Sequence, residues 1–139
     1  MIRMALVFVI GLLIAAVSSG AAEPAKEKAA RSAAQAWVAL VDDGQYAESW
    51  REAALFFRNA VTPEQWDQAV RGVRRPLGKL VSRKVKSTTY LTALPGAPDG
   101  EYVVITFATE FEHKKAAIET VTPMLETNGA WRVSGYFIQ

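Results

Sequence analysis

The sequence contains no cysteine and one histidine, His113. Without cysteine there is no disulfide framework, no thiolate nucleophile and no lipid-modified cysteine. A Ser-His-Asp hydrolase needs a positioned histidine, and His113 stands in a charged turn signal with Glu112, Lys114 and Lys115. A zinc site needs three or four His, Cys or carboxylate ligands, which this composition does not supply. No G-x-G-x-x-G or G-x-x-x-x-G-K stretch occurs, so no phosphate loop for a nucleotide cofactor is present. The sequence assigns no catalytic residue, no metal ligand and no cofactor.

Long apolar runs are equally scarce. The one that stands out is Met4 to Val17, preceded by Arg3 and followed by Ser18-Ser19-Gly20-Ala21-Ala22. It is short for a membrane span, which needs about 20 apolar residues. A basic start, an apolar stretch and small residues before a cut have the form of a secretory signal peptide. Cleavage is expected after Ala22, with Ala21 as the alternative, and an uncleaved anchor is the competing reading. The expected localisation is periplasmic or secreted. The expected organisation is a signal peptide over 1–22, a connector over 23–29 and one domain over 30–139. Removing Arg3 from the 16 Lys and Arg leaves 15 against 14 Asp and Glu. The whole-chain pI of 9.0 therefore overstates how basic the exported form is, and no nucleic-acid partner is expected.

What is present reads as helices followed by strands. Ala30, Ala33, Trp37, Leu40 and Val41 recur at helical spacing, and Asp42-Asp43-Gly44 stops that helix. A second helix is expected from Gln45 to Arg58, with Tyr46, Trp50, Ala53, Ala54 and Phe57 on one stripe. The third opens on Thr62-Pro63-Glu64-Gln65, a capping box with proline at the first helical position. Trp66, Ala69, Val70 and Val73 form its stripe, and Arg75-Pro76-Leu77-Gly78 ends it.

From Lys79 the period changes to two, and four strands are expected over 80–94, 101–112, 116–125 and 130–138. Asn128-Gly129 predicts a two-residue type I′ hairpin, pairing Met124 with Val133 and Thr120 with Phe137. A tight turn at His113-Lys114 pairs Phe107 with Thr120 and Val103 with Met124. In that register Val103, Ile105, Phe107, Phe111, Ile118, Met124, Trp131, Val133 and Phe137 share the core face. Val104, Val121, Leu125, Tyr136 and Ile138 share the opposite face with Glu110, Glu112, Glu119 and Arg132. Pro123 and Gly135 mark a bulge or bend. The fold class is α+β: three N-terminal helices packed on a curved four-stranded antiparallel sheet.

Three surfaces are candidates for function. Trp37, Tyr46, Trp50, Trp66 and Tyr90 face one hollow, as a ligand pocket or as plain core. Arg71, Arg74, Arg75, Arg83, Lys84 and Lys86 lie in a stretch, Gln68 to Pro98, that holds no carboxylate. Such a stretch is an anion-binding surface for lipid or polymer, or a basic helix end beside a protected edge strand. Val104, Val121, Leu125, Tyr136 and Ile138 are contiguous enough to be an interface, for a second copy or another envelope protein.

The segments LVDDGQYAESW, VRRPLG, LPGAPDGEYVVITFATEF and ETVTPMLETNGAWRVSGYFIQ carry a resemblance. From about Ala33 to Gln139 the chain resembles the exported bacterial proteins grouped as domain of unknown function 4019. The resemblance implies compartment and fold and no activity. More loosely, helices cupped by a curved sheet look like the cone-shaped nuclear-transport-factor-2-like and cystatin-like folds. Two readings of function follow: a non-enzymatic binding or accessory module of the cell envelope, or a small cone-fold enzyme. The enzyme would use a buried carboxylate or tyrosine such as Glu110, Glu119 or Tyr90 for acid–base work.

Overall fold

The computed structural model describes residues 22–139. Four helices precede four strands: α1 (Ala22–Asp42), α2 (Tyr46–Glu52), α3 (Leu55–Ala60), α4 (Pro63–Leu77), β1 (Leu80–Leu91), β2 (Tyr102–Phe111), β3 (Lys114–Leu125) and β4 (Trp131–Ile138). The strands form one antiparallel sheet in the order β1-β2-β3-β4, so β1 and β4 are its edges. The helices and one face of the sheet close the core. The expected signal segment lies outside the described residues except for Ala22.

Helix α1 packs against all four strands and buries Ala30, Ala34, Trp37, Val38 and Val41. The small alanines let the helix approach the sheet, and Trp37 fills the middle of the core. Residues 23–29, expected as a connector, belong to this helix. Ala25, Lys26, Glu27, Lys28 and Ala29 are good helix formers, and Lys26 Nζ is held by Glu101 Oε1 at 2.5 Å.

The expected second helix is two. Ala53 and Ala54 take extended backbone between α2 and α3, although alanine is the best helix former. The Ala54 N–H donates to Val133 O on β4 at 2.8 Å, and both alanines are fully buried. A hydrogen bond to the sheet edge overrides local propensity here. Helix α4 starts as its sequence dictates. Gln65 N–H donates to Thr62 Oγ1 at 3.1 Å, and Thr62 N–H donates to Gln65 Oε1 at 2.9 Å.

The hairpins correct the expected register. No non-glycine residue among the described ones has positive φ, so Asn128 cannot occupy a type I′ turn, which needs φ > 0 at both central residues. The β3–β4 loop has three residues, Thr127-Asn128-Gly129, closed by the Glu126 N–H on Ala130 O at 2.8 Å. Gly129 takes the left-handed position at φ +87°. Thr120 does pair with Phe137, but beyond the bulge Pro123 pairs with Val133 and Met124 with Arg132. That bulge falls where Pro123 and Gly135 marked it, with Ser134 as the extra residue.

The β2–β3 turn is also one residue off: Glu112-His113 joins Phe111 to Lys114, and Phe107 pairs with Glu119. A slip of one residue turns a strand over. Glu119 and Val121 therefore face the helices, while Ile118 leaves the core face. Tyr136 also points inward, and Phe137, expected in the core, is 54% exposed.

Candidate functional site

The largest departure from the expected core is a chain of buried charge beneath the helices. Asp42 ends α1, Arg74 lies in the last turn of α4, Arg83 on β1 and Glu119 on β3. Arg83 bridges the two carboxylates. Its Nη1 is 2.7 Å from Asp42 Oδ2 and its Nη2 donates to Asp42 Oδ1 at 2.9 Å. Its Nε donates to Glu119 Oε1 at 2.6 Å. Arg74 Nη2 donates to Asp42 Oδ1 at 2.8 Å. Glu119, with no exposure at all, also accepts from Thr109 Oγ1 at 2.7 Å and from Tyr136 OH at 2.5 Å. Two guanidinium and two carboxylate groups make the network neutral. Such a network survives burial only because each carboxylate is paired and hydrogen-bonded.

Three groups shift in response. Burial pushes the Asp42 carboxyl up, but hydrogen bonds and charge from Arg83 and then Arg74 outweigh it and leave Asp42 below its usual value. Burial opposes the charge on Arg83, and its bonds to Asp42 and Glu119 more than restore it. Burial, reinforced by the Glu119 charge, drives the Tyr136 hydroxyl well above its ordinary value. Arg74 and Arg83 also lie over the rings of Phe111 and Phe107, at 4.7 and 5.9 Å from the centroids.

The expected aromatic pocket is filled. Trp37 stacks at 5.8 Å from Trp66 and meets Tyr136 edge-on at 5.4 Å, while Phe57 meets Trp66 at 5.1 Å. Both indole N–H groups end on Ser49: Trp37 Nε1 on its carbonyl at 2.7 Å and Trp66 Nε1 on its hydroxyl at 2.9 Å. Trp50 donates to Val61 O at 2.9 Å. Tyr46 packs at the core margin. Tyr90 also packs against the core, with its hydroxyl on Glu101 at 2.8 Å beside Lys26. Four of the five, Trp37, Trp50, Trp66 and Tyr90, thus spend their polar atoms on the fold.

The basic set divides in two. Arg74 and Arg83 belong to the buried network, and Arg71 pairs with Asp67 at 2.8 Å while lying over Tyr46. Arg75, Lys84 and Lys86 are exposed. The expected interface set does not share a face. Val121 and Tyr136 are in or against the core. Ile138 shares a small apolar slot with Trp66 and Val70, and only Val104 and Leu125 keep a position away from that cluster. Of the acid–base candidates, Glu119 is inside rather than outside, and Glu110 lies with Lys84 and Lys115 along a groove on the other face.

A partly apolar recess lies elsewhere, on the α1, α2 and β4 side. It holds about 420 Å³ and is lined by Trp37, Leu40, Glu48, Glu52, Trp131 and Arg132, among others. Ala33 and Leu40, expected on the buried stripe of α1, form its wall. Glu48 pairs with Arg51 at 2.6 Å, and Arg132 reaches Glu52 and Glu126 at 3.4 and 3.3 Å. Sequence reading missed this recess because two of its walls come from segments nearly a hundred residues apart. Asp42 and Arg74 carried a readable signal. Arg74 continues the i, i+4 stripe Trp66, Val70, and a charge at the next position of a buried stripe calls for a partner.

Residues 33–136 match the family described as Protein of unknown function (DUF4019). The chain belongs to the DUF4019 family. No curated protein and no solved structure matches it. Among the described residues of this DUF4019 protein, no group of three His, Cys, Asp or Glu is placed to hold a metal. No described helix is long and apolar enough to cross a membrane.

Proposed function

We propose that this DUF4019 protein is a non-enzymatic binding or accessory module of the cell envelope, periplasmic or secreted after cleavage near Ala22. One observation carries the reading: the buried carboxylates Asp42 and Glu119 are paired with Arg74 and Arg83, and the carboxylates at the open recess, Glu48 and Glu52, are paired with Arg51 and Arg132. Glu119 accepts hydrogen bonds from Arg83, Thr109 and Tyr136, which leaves it no free lone pair for a substrate proton. The recess at Trp37 and Trp131 suits an amphipathic small molecule, with its apolar body on the rings and its polar end towards Glu52 and Arg132. Pockets of this size and mixed lining are the usual small-molecule sites.

Location rests on Arg3, the Met4–Val17 run and the small residues through Ala22. Expression of the full chain in a two-membrane bacterium tests it. The periplasmic protein is expected to begin at Ala22 or Glu23 by intact mass. Met1 retained in the membrane fraction overturns the exported reading.

A second reading, a small acid–base enzyme, draws support from the Glu119–Tyr136 contact. Tyr136 also lines an apolar slot of about 200 Å³ with Trp66, Val73 and Phe137. The other walls of the slot are apolar, however, and the hydroxyl is turned to Glu119. The corrected register withdraws the main argument for a partner on the outer sheet face, since Val121 and Tyr136 are no longer there. Weak, salt-sensitive binding of anionic lipid or polymer rests on the exposed Arg75, Lys84 and Lys86.

A further inference from the structure

The two edges of the sheet differ in how they are guarded. Edge strand β1 carries Arg83, Lys84 and Lys86 and two register shifts, the charges and bulges that keep an edge from pairing. From Gly135 to Ile138 the other edge strand, β4, has neither. Its pairing with β3 is regular there, and no side chain from Val133 to Gln139 is charged. Phe137 in that stretch is 54% exposed.

The main chain at this edge is open. Ile118 and Gln139 exchange both their hydrogen bonds, at 2.9 and 2.8 Å. In an antiparallel ladder such pairs alternate with pairs that exchange none. Phe137 therefore turns its N–H and C=O to Thr120, while Tyr136 and Ile138 turn theirs away from β3. Upstream the edge is closed, since Val133 O accepts from Ala54 N–H. Among the described residues, no helix or loop gives a main-chain bond to Tyr136 or Ile138. Beneath the open stretch lies the apolar slot of Trp66, Ala69, Val70, Val73 and Ile138, with Val73 49% exposed on its rim.

We propose that this edge pairs with the same edge of a second copy, β4 against β4 across a two-fold axis through Phe137. In that register Tyr136 of one copy lies opposite Ile138 of the other, and each such pair exchanges both its hydrogen bonds. Centring on Tyr136 instead would call on the bulged Ser134. Phe137 meets its own copy at the unbonded position, where Cα atoms stand about 4.5 Å apart and side chains touch. Charge selects this occupant. A two-fold sets each side chain near the axis against itself, so a charged edge repels its copy. This edge carries no charge, and neither does the α4 flank beside it, Gln65, Ala69, Val73 and Pro76 at helical spacing. A β1 edge would bring Lys84 and Lys86, and its unlike pairing with β4 would leave further edges open and grow a fibre. The contact is small, under about 1,200 Å², which belongs to weak association. It leaves the Trp37–Trp131 recess open, and neither proposal depends on the other.

Sedimentation velocity over a concentration series tests it, with amide hydrogen exchange as the local readout. Wild type is expected to pass from monomer to dimer as concentration rises. The Tyr136 and Ile138 N–H groups should gain protection over the same range. Phe137→Lys and Phe137→Glu should each weaken dimerisation roughly tenfold or more, because like charges then face each other across the axis. An equimolar mixture of the two should restore it, which also shows that both variants fold. Val85→Lys, on the β1 edge, should change nothing. A protein that stays monomeric at every concentration, or a dimer that Phe137→Lys leaves intact, overturns the proposal. So does protection of those two N–H groups only on adding a foreign extended peptide, which assigns the edge to another chain.

Discussion

At the scale of single residues, Arg83 decides most. It is the group that joins α1 to β3 through Asp42 and Glu119, and removing it leaves Glu119 with no cation and Asp42 with Arg74 alone. Arg83→Met is expected to destabilise the fold by about 3–5 kcal/mol, the usual cost of breaking a buried pair from one side. Adding Glu119→Leu should recover much of that loss, because Asp42 stays paired with Arg74 and no buried charge is left uncompensated. Urea unfolding of the variants measures both. The pH dependence arises from the same groups. Folded Asp42 titrates below its usual value, so near pH 4 the unfolded chain binds more protons, and stability falls as pH drops through that range. Folded Tyr136 titrates above 10, so its contribution is intact below pH 10 and is lost as pH rises beyond it. Asp42→Asn should flatten the acid limb of a stability–pH curve and Tyr136→Phe the alkaline limb. If both limbs are unchanged in both variants, the network does not act as described.

At the scale of elements, turns and caps fix where each helix begins and which face each strand presents. Gly129 sits at φ +87°, where a Cβ costs about 1–2 kcal/mol, so Gly129→Ala is expected to lower stability by about that much. Gly135→Ala should cost far less, since its φ is not positive and an added Cβ meets open space. Thermal melts of the pair give the contrast. Thr62→Ala removes the α4 cap and is expected to cost about 1 kcal/mol. These elements also mark how far the sequence could be read. The α4 start was legible because a capping box is complete within four residues. The strands, the Pro123 bulge and the class were legible from period and β-branching. The register was not, because Asn128-Gly129 serves a two-residue turn or the end of a three-residue loop equally well, and one residue turns the strand over. The matching one-residue shift at the β2–β3 turn, Glu112-His113 in place of His113-Lys114, is why Glu119, and Tyr136 paired with Val121, form the polar heart of the core although the sequence reading turned them outward. The break at Ala53-Ala54 was illegible too, since its cause is a carbonyl on β4.

At the scale of the whole molecule, the helices and sheet leave no empty hollow at the centre of the described residues. Trp37, Trp66, Phe57 and Tyr136 fill it, and four charges seal its far end. On the function proposed above, such a protein offers its margins for binding. The Trp37–Trp131 recess is the margin best suited to a small ligand, and it can be altered without touching the core. Ala36 lines the recess and is exposed, so Ala36→Glu places a charge on an apolar wall and leaves the packing intact. Native mass spectrometry of the protein drawn from the envelope of its own host, wild type beside Ala36→Glu, tests the central claim most directly. A bound small molecule on the wild type that is absent from an equally folded Ala36→Glu is the expected result. The account is contradicted if the same mass is retained by both, or if wild type carries none and turns over a substrate that Tyr136→Phe does not.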